Sequence, residues 1–393
     1  MHSKKLRTAR RIGLAVATVA LVSVAGARSS AAASALGEGH RCASHIAYVA
    51  NTGSGTVTPI STRTDAAGSP IPVGSIPVAI AMTPDGRTAY VMNDGSGTVT
   101  PISTCTNTAG PAIPVGGYPN AIAITPDGRT VYVVNADSDT VTPISTRTNT
   151  AGSPIPTGVT PFAIAITPDG RTAYVTNANS GTVTPISTRT NTAEPAIPVG
   201  QNPVAIAMTP DGRTAYVANA SSNTVTPIST RTNTAGPAIP VGGPPDFIAI
   251  TPNGRTAYVA TSQEGASESD AVTPISTRTN TAGSPIPVGD YAVALAITPN
   301  GRTVYVANAY SGTVTPISTR TDTAGAAIPT GPVPQSIAIT PDGRTAYVVN
   351  YNSGNAGTVT PISTRTNTAG PAIPVGDGPD GIAITPRTAL NNP

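Results

Sequence analysis

Eight tyrosines recur along this chain at near-constant intervals: Tyr48, Tyr90, Tyr132, Tyr174, Tyr216, Tyr258, Tyr305 and Tyr347. The spacing is 42 residues in six of the seven steps and 47 in the other. A period of roughly 40–50 residues holding several short strands points to a ring of β-sheet blades. Each such unit leaves apolar faces that only its neighbours can cover, so the units must stack.

Within one period the pattern is strand-like throughout. Ala163 to Thr167 alternates alanine with isoleucine, Asp169-Gly170 supplies a hairpin turn, and Arg171 to Asn177 runs back as a second strand. Four strands per unit follow from the repeat. Strand A is typified by Ala121–Thr125, B by Thr130–Asn135, C by Thr140–Thr146 and D by Ile113–Gly116. The small residues of A suit a crowded axis where blades converge. Proline stands inside strand C of every unit, for example Pro59 and Pro143, although it cannot donate to a ladder. The expectation is three firm strands with a loosely paired rim.

The two ends of the repeat array are complementary. The first unit opens at strand B with Ile46–Asn51, and the last is a lone strand A, Gly381–Thr385. Pairing them would close the ring and remove its free edges. The fold expected is all-β: a single β-propeller of eight four-stranded blades over 46–386, or seven if one unit is displaced.

Composition agrees with an ordered all-β chain. It has 41 Pro and 39 Gly, no Trp, and charged residues at only 10%. Residues 1–35 read as a secretory signal peptide with its processing region. Lys4, Lys5, Arg7, Arg10 and Arg11 precede an apolar run over Ile12–Gly26, and Ala-x-Ala options end at Ala27, Ala33 or Ala35. Arg10-Arg11 permits a twin-arginine route, but ordinary Sec export is the reading taken. A lead-in over 36–45 and a tail over 387–393 flank the propeller. No second membrane span or lipid-anchor cysteine is visible, so the mature chain is expected to be secreted, cell-surface or periplasmic. Cleavage after Ala27 leaves 17 basic against 19 acidic residues, a net charge near −2; cleavage after Ala35 leaves 16, for −3. The formal +3 of the whole chain is therefore no signal for nucleic-acid binding. Cys42 and Cys105 are the only cysteines, and a disulfide between them or two unrelated thiols are both open.

At Tyr174-Val175-Thr176-Asn177 the chain resembles the YVTN β-propeller repeat family of archaeal surface-layer and bacterial exported proteins. The Thr-Pro-Asp-Gly-Arg turn, the Thr-Val-Thr-x-Ile-Ser-Thr strand and Ile-Pro-Val-Gly carry the likeness from Ala43 to Pro386. It implies an envelope or extracellular propeller and no particular reaction. Eight units depart from the seven usual in the family, as do the proline in strand C and the serine where aspartate often follows isoleucine.

Residues repeated in every unit are scaffold first. The A–B and C–D turns are nearly constant and should share one face; the B–C and D–A connections vary and should share the other. The constant face is expected to carry 15 arginines, counting Arg387, against eight acids, a net of +7. The variable face is assigned ten acids and no Lys or Arg: Asp94, Asp137, Asp139, Asp246, Glu264, Glu268, Asp270, Asp290, Asp377 and Asp380. Variable loops on a fixed scaffold are where binding is usually built. The ligand-binding candidates are Tyr118, Asn120, Phe162, Asp246, Tyr291, Gln335 and Asp380, several of them near the mouth of the central channel.

Catalysis finds little support. The only histidines are His2, His40 and His45, so neither a zinc cluster nor a Ser-His-Asp triad is apparent. No cofactor or metal is expected, and basic–aromatic interleaving for nucleic acid is absent. Three functions stay in play. The first is a monomeric binding or interaction scaffold for an envelope protein or glycan. The second is a lactonase- or lyase-like enzyme using Asp246 or Asp380. The third is a surface coat that self-associates through its oppositely charged faces.

Overall fold

The computed structural model describes residues 45–261, 270–352 and 354–386. Eight antiparallel sheets follow one another, each ordered A-B-C-D. Blade 2 is representative: A is Pro77–Met82, B is Thr88–Asn93 and C is Thr98–Ser103. Its strand D comes in two pieces, Thr108–Ala109 and Ile113–Pro114, both paired with C. Among the described residues the only helical segment is a single 3-10 turn, Ala220–Ser222.

The ring closes as the end fragments require. Pro379–Ile384 pairs antiparallel with Ile46–Asn51, with Val49 opposite Ile382 and Tyr48 opposite Ala383. Blade 1 is built from both ends of the repeat array, and the count is eight. Strands A converge at the axis. A Cβ on Gly381 in blade 1 would meet the Val78 carbonyl oxygen of blade 2, so only glycine permits this approach.

The apolar core is divided into eight clusters, one at each blade–blade interface. Strand B shows why. Tyr48 and Ala50 pack with Ile80, Met82 and Val91 of blade 2, while Ala47 and Val49 pack with Tyr347 and Val349 of blade 8. Successive side chains point to opposite faces, and here both faces are covered. Strand B is therefore buried along its whole length rather than alternating apolar with polar.

Each repeat tyrosine also joins its blade to the next. The Tyr132 hydroxyl donates to Asn191 Oδ1 at 2.6 Å, and Tyr48 does the same to Asn107. These acceptors sit in the C–D turn of the following blade at positive φ, where Asn and Asp are tolerated. In two places the acceptor is a carboxylate: Tyr258 bonds Asp322, and Tyr347 bonds Asp65. The last bond crosses from blade 8 to blade 1, a second closure beside the strand pairing.

The prolines of strand C find their place at the rim. The Pro59 carbonyl accepts the Gly68 amide at 2.7 Å. The nitrogen and carbonyl of one strand residue face the same neighbour, so the missing N–H points at strand D. Strand D breaks there into its two short pieces, while the B–C ladder runs unbroken from Ile46–Ser61 to Asn51–Thr56. Short, proline-bearing edges also discourage pairing with other chains.

Candidate functional site

The two faces separate as the loop pattern implies. In the constant face the C–D turn leans on the A–B turn, with Thr104 Oγ1 donating to the Gly86 carbonyl at 2.6 Å. In the variable face the B–C loop leans on the D–A loop, with the Asp94 amide donating to the Ile76 carbonyl at 2.9 Å. All 14 arginines among the described residues lie on the constant face. Arg387, Glu264 and Glu268 lie outside the described residues.

The aspartates of the A–B turns are structural. Asp127 Oδ1 accepts from Thr125 Oγ1 at 2.6 Å and from the Arg129 amide at 3.1 Å. Burial opposes its charge, but these bonds and the Arg129 guanidinium, 3.8 Å away, outweigh that and lower the carboxyl pKa. Asn253 and Asn300 make the same bonds in blades 6 and 7. An amide serves equally well there, so the carboxylate is not needed for proton chemistry.

The asparagine ending strand B anchors the variable face. Asn177 Nδ2 donates to Thr182 and Thr184 hydroxyls at 3.0 and 2.9 Å, and Oδ1 accepts the Gly158 amide at 3.1 Å. A Cβ on Gly158 would lie 2.8 Å from the Asn177 side chain, which accounts for the glycine. Blade 6 departs from this arrangement. Thr261 replaces the asparagine and donates to the Ala271 carbonyl at 3.2 Å. Gly242 has open space around it, and Phe247 occupies the position held by Ala79, Ala121, Ala163, Ala205 and Ala294 elsewhere.

One position on this face carries backbone strain. The residue before strand A has positive φ at Ile76, Tyr118, Thr160, Asn202, Tyr291 and Val333, with values between 47° and 60°. β-Branched residues there are genuine outliers. Each is held by its carbonyl, which accepts an amide from the adjacent B–C loop; for Thr160 the donor is Ala178 at 2.8 Å, and for Val333 it is Tyr351 at 3.0 Å. Sequence reasoning missed this ring, because nothing local marks Ile or Val as left-handed.

The candidate residues fall into different environments. Tyr118 and Tyr291 are half-buried members of the strained ring. Tyr291 stacks on Tyr310, ring centroids 4.5 Å apart and planes 11° from parallel. Tyr310 was not singled out from sequence; the available signal was a second aromatic in the other loop of blade 7. Asn120 is buried and donates from Nδ2 to the Phe162 carbonyl at 3.0 Å, tying strand A of blade 3 to that of blade 4. Phe162 packs partly into the interface of blades 4 and 5. Gln335 is buried. Asp246 and Asp380 occupy blades 6 and 1 and are not brought together. Asp380 keeps limited contact with solvent, yet protein surrounds its carboxyl. Burial, with no opposing bond or cation among the described residues, pushes its pKa up to about 7.

Among the described residues no group of three or more His, Cys, Asp or Glu forms a metal site. Cys105 is not a free thiol, and Cys42 lies outside the described residues. A shallow cavity of about 400 Å³ lined by Ala326, Pro329 and Asn367 belongs to the rim between blades 7 and 8. A second, lined by Pro143, Pro156 and Asn191, repeats it between blades 3 and 4.

No protein-family model and no curated protein matches the chain. Solved structures do. Hydrazine synthase from Kuenenia stuttgartiensis is 25% identical, with a TM-score of 0.62 over 73% of this chain and 95% of that one. The dihydro-heme d1 dehydrogenase NirN in complex with DHE is 14% identical, with a TM-score of 0.73 over 87% and 75%. A protein of unknown function from Desulfotomaculum acetoxidans is 19% identical, with a TM-score of 0.63 over 87% and 99%. These likenesses concern architecture: the chain is an eight-bladed β-propeller.

Proposed function

We propose that this propeller is of the YVTN type, is exported, and acts as a binding module at the cell envelope or outside the cell. Its partner is a protein or glycan held by the B–C/D–A face. The observation that carries this reading is the strained ring. A left-handed conformation costs an L-residue roughly 1–2 kcal/mol, and Gly or Asn would relieve it. Ile76, Thr160, Tyr291 and Val333 keep their side chains there nonetheless. Strain held at one loop position, on a scaffold otherwise nearly uniform, is characteristic of a working surface. The basic and apolar N-terminal segment supports export. A Cys42–Cys105 bridge fits the same compartment; reduction of the mature, denatured protein would then release two titratable thiols.

The test replaces Ile76, Thr160 and Val333 together by Asn, which accepts positive φ. Thermal stability should hold or rise, while binding of the mature protein to isolated envelope fragments is lost. Unchanged binding by this variant would overturn the assignment of the face. A second reading, hydrolytic or lyase chemistry at the channel mouth, is favoured by the raised pKa of Asp380. It predicts a lactone or β-elimination activity that Asp380→Asn abolishes; an activity surviving that change would refute it.

A further inference from the structure

The two faces of the disc are complementary to each other. Among the described residues the turn face holds 14 arginines and eight acids, a net of +6, while the loop face holds eight acids and no Lys or Arg; of these eight, Asp137 and Asp290 are exposed, and Asp270 and the carboxyl of Asp380 are enclosed by protein. The arginines are solvent-exposed: the Arg129 and Arg171 side chains are 86% and 85% exposed, although each lies 3.8 Å from the aspartate of its own turn. We propose that the loop face docks the arginine face of a second copy, so that the discs stack coaxially, head to tail. This rests on the loop face being the binding surface and names its occupant.

A second observation is independent of charge. The exposed large apolar side chains among the described residues are Ile76, Val159 and Tyr310, at 36%, 51% and 72%. All three lie on the loop face, in connections belonging to blades 2, 4 and 7. Apolar anchors spread round a ring match a broad, flat partner and not a small ligand in one cleft. The arginine face is such a partner. Guanidinium groups stack on aromatic faces as well as pairing with carboxylates, and Tyr310 offers an exposed ring above Tyr291.

Geometry and net charge point the same way. Both faces carry one set of turns or loops per blade, so coaxial docking sets arginine turns over the loops that carry acids, although the loops of blades 4 and 5 carry none. The described residues sum to a charge near −2, with 14 arginines against 16 acids, so little net repulsion opposes contact. Sideways growth is discouraged by the broken, proline-bearing strands D. A contact between two different faces does not close on itself and would extend into columns.

The experiment uses the mature protein and two variants. Arg147→Glu with Arg231→Glu alters the turn face; Asp137→Arg with Asp290→Arg alters the loop face. Sedimentation is run at about 0.01 M and about 1 M salt, where screening lengths are roughly 30 and 3 Å. The wild type should exceed twice the monomer mass at low salt and be monomeric at high salt. Each variant alone should be monomeric at low salt, and their mixture, which offers the intact loop face of one to the intact turn face of the other, should associate again. A wild type that is monomeric in both salts, or association that survives either variant, overturns the stacking. If stacking fails while the Asn-substituted loop face still loses envelope binding, only the identity of the occupant is wrong.

Discussion

Alkaline pH should unfold this protein abruptly, and the repeat tyrosines set the magnitude. Burial raises Tyr90, Tyr132, Tyr174, Tyr216 and Tyr305 from 10.0 to about 12. Tyr48, Tyr258 and Tyr347 are raised further by burial, the last two also by the carboxylates of Asp322 and Asp65. Protonated tyrosine is thus favoured in the fold. That contribution is full below pH 10, the unfolded value, and is lost as pH climbs through the folded values. The slope is about 1.4 kcal/mol per pH unit for each tyrosine, or about 11 kcal/mol for eight acting together. The assay follows phenolate absorbance and far-ultraviolet circular dichroism on one alkaline titration. The two signals should change together in a single steep step between about pH 10 and about pH 12. Tyr132→Phe should make the dependence shallower by about 1.4 kcal/mol per pH unit. Gradual ionisation of the repeat tyrosines while the dichroism stays native would refute the reasoning.

Two substitutions at the ring closure probe the seam. Gly381→Val would drive a side chain into the Val78 carbonyl and within 3.1 Å of Ala79 Cα; a loss of about 1–3 kcal/mol, with faster proteolysis near Ile46–Asn51, is expected from urea midpoints and limited digestion. Asp380→Asn should raise the melting temperature at pH 8 and leave it nearly unchanged at pH 4. The raised carboxyl of Asp380 favours folding below its unfolded value of 3.8 and loses that advantage as pH rises through about 7; equal effects at both pH values would show that its burial does not matter.

How much of this was readable in advance depends on how far apart the partners lie. Tyrosine spacing, the Asp-Gly turns and the complementary end fragments are local features, and they predicted the blades, their number and the closure. The proline of strand C was visible but ambiguous. Only the pairing of Pro59 with Gly68 shows that its missing donor faces strand D, and why Ala66–Ala67 joins Ile71–Pro72 in a broken outer strand. Strand A likewise begins earlier than its Ala-Ile pattern implies, at Pro119 rather than Ala121, because a bulge lets the second residue slip out of register.

The functional face was located by its variability, but its content was not. That Asn120 spends its amide on Phe162, and that Tyr291 meets Tyr310, are contacts between separate connections. The repeat itself, a periodic sequence of short strands with apolar faces on both sides, required the units to stack on one another, and the complementary end fragments pointed to a closed ring. Tertiary structure alone decided that Tyr347 bonds Asp65 across 282 residues, and that Ile76 and Val333 adopt a conformation their side chains oppose. Both are consequences of neighbouring blades meeting. The energy that holds a β-branched residue at positive φ comes from hydrogen bonds to a separate loop, and no short stretch of sequence contains both partners.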